Sequence, residues 1–184
     1  SATLLVFRGC GDAENDARRF YHSGETSDLE LVMSTLMGRD PSAIRFVAGV
    51  SLGGNVLLKW LGESGISTRR VRAAAAVSVP FDLEAGARRI SQGISRIYDW
   101  SFLRSLRRKA RAKLARYPDL FDDRRLALAR NVFEFDDVVT APVHGFASAT
   151  DYYSRSSSLA FLARVHVPTL LLSALNDPFL PPSV

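Results

Sequence analysis

The sequence predicts an α/β protein, a mostly parallel β-sheet flanked by helices and interrupted by a long helical insertion. Three observations carry this reading. Over residues 1–84, short apolar runs and helical patterns follow one another as strand, helix, strand, helix, strand. That is the alternation of a parallel sheet with crossover helices. The runs are apolar throughout rather than alternating with polar residues, as expected of strands covered on both faces. Finally, no convincing strand appears from about Leu83 to Arg164, after which strand character returns. With 47% apolar residues, the 184-residue chain can build one domain with a sizeable core. The expected division is 1–84 for the first part of the core, 85–165 for a helical insertion of the kind that forms lids over active sites, and 166–184 for the returning strand and its turn.

Each element has its own justification. Leu4-Leu5-Val6-Phe7 reads as a buried strand ended by the loop Arg8-Gly9-Cys10-Gly11. Ser27 and Glu30 have capping-box spacing, so a helix is expected to start near Thr26. Leu29, Val32, Met33, Leu36 and Met37 give it an apolar face, and Gly38 and Pro41 end it. Ile44 to Val50 is a second apolar strand, rich in β-branched and aromatic residues. Leu52, Val56, Leu57, Trp60 and Leu61 then form a helical stripe, with Gly62 and Gly65 at its end. Val71 to Val79 is a third strand, stopped by Pro80. In the insertion, Leu103, Leu106, Ala110, Leu114 and Tyr117 mark an amphipathic helix, and Leu126, Ala129 and Arg130 lie in another. Val167 to Leu175 is the returning strand, turned off by Asn176-Asp177-Pro178. Both ends read as cut: the first residues are a strand already begun, and the last follow a Pro-rich turn with no closing element.

Composition narrows the classes. A single cysteine, Cys10, cannot form a disulfide framework within the chain and fits a reducing, cytoplasmic compartment. With no partner base near it, Cys10 reads as a small buried residue. No apolar run reaches the roughly 18–20 residues of a membrane span, and the first residues lack the pattern of a signal peptide. The net charge of +5 is local, because Arg104, Arg107, Arg108, Lys109, Arg111, Lys113 and Arg116 crowd one stretch. The plain reading is a solvated helix face. The sharper one is attraction to an anionic membrane surface or an anionic substrate. No nucleic-acid-binding motif accompanies the charge, so nucleic acid is not an expected partner.

Gly49-Val50-Ser51-Leu52-Gly53 matches G-x-S-x-G between an apolar strand and an amphipathic helix, the context a nucleophile elbow requires. A serine on so tight a turn is held in a strained backbone conformation. Glycines two residues to either side, with Gly54 beyond, leave room for the chain to fold back. The hydroxyl then projects above the sheet, and the N–H of Leu52 at the helix start is the expected first oxyanion donor. A plain strand-to-helix turn with a capping serine is the alternative. The serine needs a base, and the base an orienting acid, in the chain order Ser, Asp or Glu, His. Asp177 follows the returning strand where such an acid belongs; it is otherwise a simple turn residue before Pro178. Asp82 is the competitor. No histidine follows Asp177, because His22, His144 and His166 all lie upstream. Each reads as structural, and the base is expected beyond Val184, which would leave these 184 residues inactive by themselves.

Several segments together resemble the YheT-type branch of the α/β-hydrolase fold. They are Phe7-Arg8-Gly9-Cys10, Tyr21-His22-Ser23-Gly24-Glu25-Thr26, the elbow through Gly54-Asn55, Glu134-Phe135-Asp136-Asp137, His144-Gly145-Phe146, Asp151-Tyr152-Tyr153, Pro168-Thr169-Leu170 and Asn176-Asp177-Pro178-Phe179. The resemblance implies acyl-ester hydrolysis on a small-molecule or lipid-like ester, with no metal or organic cofactor. By position it makes Ser51 the nucleophile and Asp177 the triad acid. It also implies an upstream His-Gly turn and a downstream Gly-His region that this sequence does not contain. Arg8, His22 and Glu25 fall in the shared motifs and read as a hydrogen-bond network pinning a loop near the elbow, or as substrate contacts. Two other functions fit the same residues: a non-catalytic scaffold that binds a ligand or partner, and an acyltransferase with the same triad.

Overall fold

The computed structural model describes residues 1–11, 15–64 and 70–181. Its centre is a three-stranded, all-parallel sheet in the order β1 (Arg45–Val50), β2 (Val71–Val77), β3 (Thr169–Leu172). Val50 pairs with Val77 and Val77 with Leu172, so the three strands end in one row. Helix α1 (Ser27–Arg39) leads into β1, and α2 (Leu52–Ser64) crosses from β1 to β2. Between β2 and β3 lie only helices: α3 (Leu83–Ile90), α4 (Arg96–Arg116), α5 (Asp123–Leu128), α6 (Val132–Phe135), α7 (Ala141–His144) and α8 (Ala149–Ser156). A π-helical segment, Asp136–Thr140, joins α6 to α7, and a 3₁₀ run, Ser158–Arg164, leads back toward β3. The α/β-hydrolase arrangement of a parallel sheet, crossover helix and helical insertion is therefore present.

α2 is the hub. Gly54 through Gly62 are all buried, including Asn55 and Lys59. The expected stripe understates this, because α2 is packed on more than one side. Leu57, Trp60 and Leu61 meet Met33 of α1 and Val71, Ala74 and Val167, while Leu58 meets Ala76 and Val79. The 3₁₀ run presses so closely that a Cβ on Gly62 would lie 2.5 Å from the Phe161 carbonyl oxygen. The helix ends at Ser64; Gly65, also read as its terminator, lies outside the described residues. The insertion has its own cluster of Leu103, Ala110, Leu126, Phe135, Val138 and Val139.

Four expectations need correction. Leu4–Phe7 forms no strand, and Leu4 is 86% exposed. A strand exists only by pairing, and none of the described residues pairs with this run. Nor do the described residues cover the sheet on both faces. Phe46 and Val50 of β1 and Leu170 and Leu172 of β3 share the face away from α2, and Phe46 is 72% exposed. The capping box of Ser27 and Glu30 does not form. The Ser27 N–H donates to Glu25 Oε1 at 3.0 Å, while Glu30 Oε2 accepts from Trp60 Nε1 at 2.6 Å, tying α1 to α2. Ser27 is taken by its sequence neighbour Glu25 and Glu30 by Trp60 of α2, so the two do not serve each other. Cys10 is exposed rather than buried, in a turn that Gly9 enters at φ 72°, with Lys109 Nζ 3.7 Å from its sulfur.

Candidate active site

β1 ends at Val50 and α2 begins at Leu52, so the reversal from strand to helix falls on Ser51 alone. Ser51 takes φ 52°, in the left-handed region that a serine adopts only when its surroundings impose it. Both sides of the bend are held. The Ser51 N–H donates to the Val77 carbonyl of β2 at 2.8 Å, and its own carbonyl accepts from the N–H groups of Gly54 and Asn55 at 2.9 and 3.1 Å. The residue itself is exposed. Two glycines make the bend possible. A Cβ on Gly49 would come within 2.5 Å of the Gly53 carbonyl oxygen, and one on Gly54 within 2.4 Å of Val79 Cγ2. At Gly53 a Cβ would meet only the Phe7 ring, at 4.0 Å. The second steric demand thus falls on Gly54, one residue later than the two-residue spacing suggests. Leu52 and Gly53 open α2, where helix geometry gives their N–H groups no acceptor within the helix. They form its positive end beside Ser51.

Parallel pairing brings the carboxyl ends of the strands to one rim. Ser51 follows β1 and Ser78 follows β2, the latter also left-handed at φ 51°, and Asp177 lies in the turn after β3. The strands leading to Ser51 and Asp177 stand two spacings apart, roughly 10 Å. Asp177 Oδ1 accepts from the Phe179 N–H at 2.9 Å. The insertion grips this turn, since Ser95 Oγ donates to the Pro178 carbonyl at 2.8 Å and the Tyr98 and Phe179 rings meet at 4.9 Å. The competing acid, Asp82, caps α3, accepting from the Ala85 N–H at 3.0 Å.

Of the histidines, His166 is exposed before the amino end of β3. His22 and His144 are brought together, their ring centroids 4.5 Å apart, with Phe146 and Tyr152 set edge-on against His22. Burial lowers both imidazoles to about 4, and for His22 the neighbouring His144 adds to it. Both are therefore neutral at pH 7. His22 Nδ1 accepts from the Gly24 N–H at 3.1 Å, whereas His144 Nε2 is buried with no hydrogen-bond partner among the described residues. Beside them, burial raises the Glu25 carboxyl, but hydrogen bonds from Ser27 and the charge of Arg19 outweigh it and hold it below its usual value. Arg8 grips Asp28 of α1 through Nε and Nη2 at 3.1 and 2.5 Å.

Two further polar residues organise the surroundings, and motif reading assigns neither of them a role. Asn55, fully buried one turn after Ser51, engages both its N–H donors and its carbonyl oxygen. Its Nδ2 donates to the Ser23 and Ser156 carbonyls at 2.8 and 2.9 Å, and its Oδ1 accepts from the Ser158 N–H at 2.8 Å. It joins the elbow helix, the 22–25 loop and the end of the insertion. Asp136, in the π segment, accepts from Thr140 Oγ1 at 2.5 Å and Tyr153 Oη at 2.6 Å, and burial raises its carboxyl to about 6. A polar side chain in the middle of an apolar helical pattern was the available signal for both.

No family profile matches the chain, and no solved structure matches it. Curated relatives do. It is 40% identical to the protein YheT of Escherichia coli (strain K12) over 179 residues, covering 96% of this chain and 52% of that protein. It is 31% identical to a monoacylglycerol lipase of Saccharomyces cerevisiae, covering 96% of the chain and 41% of the lipase. With the human phospholipase ABHD3 the identity is 31%, over 96% of the chain and 44% of the phospholipase. The chain thus spans about half the length of the curated relatives it matches.

Proposed function

Because the chain belongs to the YheT-type α/β-hydrolases, we propose that its parent protein is a serine hydrolase of carboxylic esters, with Ser51 as nucleophile, the Leu52 N–H as an oxyanion donor and Asp177 as the acid that orients the catalytic base. The observation that carries this reading is the single-residue bend at Ser51, exposed, at φ 52° and seated on the positive end of α2. A serine there attacks an ester carbonyl, and negative charge grows on the carbonyl oxygen beside N–H groups already oriented. The alkoxide leaves as an alcohol, the acyl group remains on Ser51, and water releases it as the acid. The strands that lead to Ser51 and Asp177 are separated by β2, a spacing that supports an imidazole placed between the two side chains. His22 and His144 are engaged with each other and His166 lies at the opposite end of β3, so the base is a histidine outside these residues. Relatives named as a monoacylglycerol lipase and a phospholipase favour an acyl-lipid ester as substrate.

Fluorophosphonate labelling of the full-length protein tests this. Ser51 takes up the label, Ser51→Ala abolishes it, and Asp177→Asn slows it by roughly 10³–10⁴-fold, the scale of losing a triad acid. A folded full-length protein that takes no label is a binding scaffold instead.

A further inference from the structure

The basic stretch of the insertion does not act as one surface. Lys113 is buried and donates to the carbonyls of Asn15 and Ala17, Arg107 to those of Ala127 and Ala129, Arg111 pairs with Asp123 at 3.4 Å and Arg116 with Asp16. These cations staple the insertion. Arg96, Arg104 and Arg108 are exposed and have no carboxylate partner among the described residues. On α4 the spacing of Ile97, Trp100, Arg104 and Arg108 sets them on one side of the helix, turned away from buried Leu103 and Ala110. Ile97 is 67% and Trp100 62% exposed, with Ile94 beside them on the preceding turn. The Arg104 guanidinium lies 5.7 Å over the Trp100 ring. This face places large apolar side chains at one end and uncompensated positive charge at the other.

We propose that this face, residues 94–108, docks the protein peripherally on an anionic lipid bilayer. Tryptophan and isoleucine enter the headgroup–acyl boundary, and the arginines meet lipid phosphates and acidic headgroups. Charge decides the occupant: a second copy would oppose arginine to arginine, whereas an anionic leaflet neutralises Arg104 and Arg108. No helix among the described residues is long and apolar enough to cross a membrane. The same helix packs Tyr98 and Phe102 on Phe179, two residues past Asp177. The docking does not depend on the catalytic reading, because binding is measured without turnover.

Co-sedimentation of the full-length protein with vesicles of phosphatidylglycerol and phosphatidylcholine, against pure phosphatidylcholine, tests it. Binding is expected to the anionic vesicles and to weaken as salt rises. Each arginine near an anionic surface strengthens binding about fivefold, so Arg104→Ala with Arg108→Ala lowers partition by roughly 25-fold. Ile97→Asn with Trp100→Asn lowers it at least about tenfold. All four side chains are exposed, so both double variants keep the fold. Trp60 is buried in either state, so a blue shift on vesicle addition that disappears in Trp100→Phe places the contact at this face. Equal binding to neutral and anionic vesicles, unchanged partition of either double variant, or vesicle-free self-association abolished by Ile97→Asn/Trp100→Asn would each overturn the proposal.

Discussion

Ser51 holds its left-handed conformation because neighbours on both sides leave it no other. Gly49 and Gly54 pass so close to one another and to Val79 that a methyl group fits at neither. Gly54→Ala is therefore expected to destabilise by about 1–3 kcal/mol through overpacking. Gly53→Ala, whose methyl meets nothing closer than the Phe7 ring at 4.0 Å, is neutral or stabilises by up to about 1 kcal/mol through helix propensity. Chemical denaturation of the two variants checks the contrast, and equal losses would remove the steric account of the bend. Asn55 sets a second residue-scale constraint. Asn55→Leu keeps the branching of the side chain but strands two carbonyls and one N–H in the interior, at about 1–3 kcal/mol for each unsatisfied group. A loss below about 1 kcal/mol would mean that water or neighbouring groups take over its bonds.

At the scale of elements, packing overrides local pattern. The apolar run at residues 4–7 has strand composition but no ladder, and α2 is a core helix although its sequence also suits a half-buried one. Four helix caps, by contrast, follow local chemistry, because the cap and the N–H groups it serves are neighbours in the chain. Asp82, Asp122, Asn131 and Ser148 each accept from N–H groups two or three residues on. Asp82→Ala is accordingly expected to cost about 1 kcal/mol and to leave fluorophosphonate labelling of the full-length protein intact, in contrast to Asp177→Asn. A labelling defect in Asp82→Ala comparable to that of Asp177→Asn would move the acid from the turn after β3 to the start of α3.

Over the whole molecule, buried titratable groups tie stability to pH. His22 and His144 accept a proton near 6.5 when unfolded but only at about 4 in the fold. The unfolded chain binds more protons between those values, so stability present above pH 6.5 is lost as pH falls toward 4. Asp136 works the other way. Its folded carboxyl stays protonated up to about 6, so acidification from pH 6 to 4 favours the fold at this group. Two histidines outweigh one acid, and melting temperature is expected to fall on acidification below 6.5. His144→Gln flattens that fall and Asp136→Asn steepens it. A melting profile of the full-length protein between pH 4 and 7.5 that neither variant alters would remove these groups from the balance.

The β1–α2–β2 alternation, the tight bend at Ser51, the turn that holds Asp177 and the helical character of residues 83–164 were legible in order along the chain, because each depends on residues within a few positions of one another. Other features are contacts between segments far apart in sequence, with no periodicity or motif to announce them. The pairing of His22 with His144 joins the amino-terminal loop to the later part of the insertion, Asn55 bridges three segments, and Lys113 is drawn inward by carbonyls of the amino-terminal loop. The exposure of Cys10 and of one face of the sheet belongs to the same class. Composition states which side chains seek burial, but only the packed arrangement decides which of them find a partner.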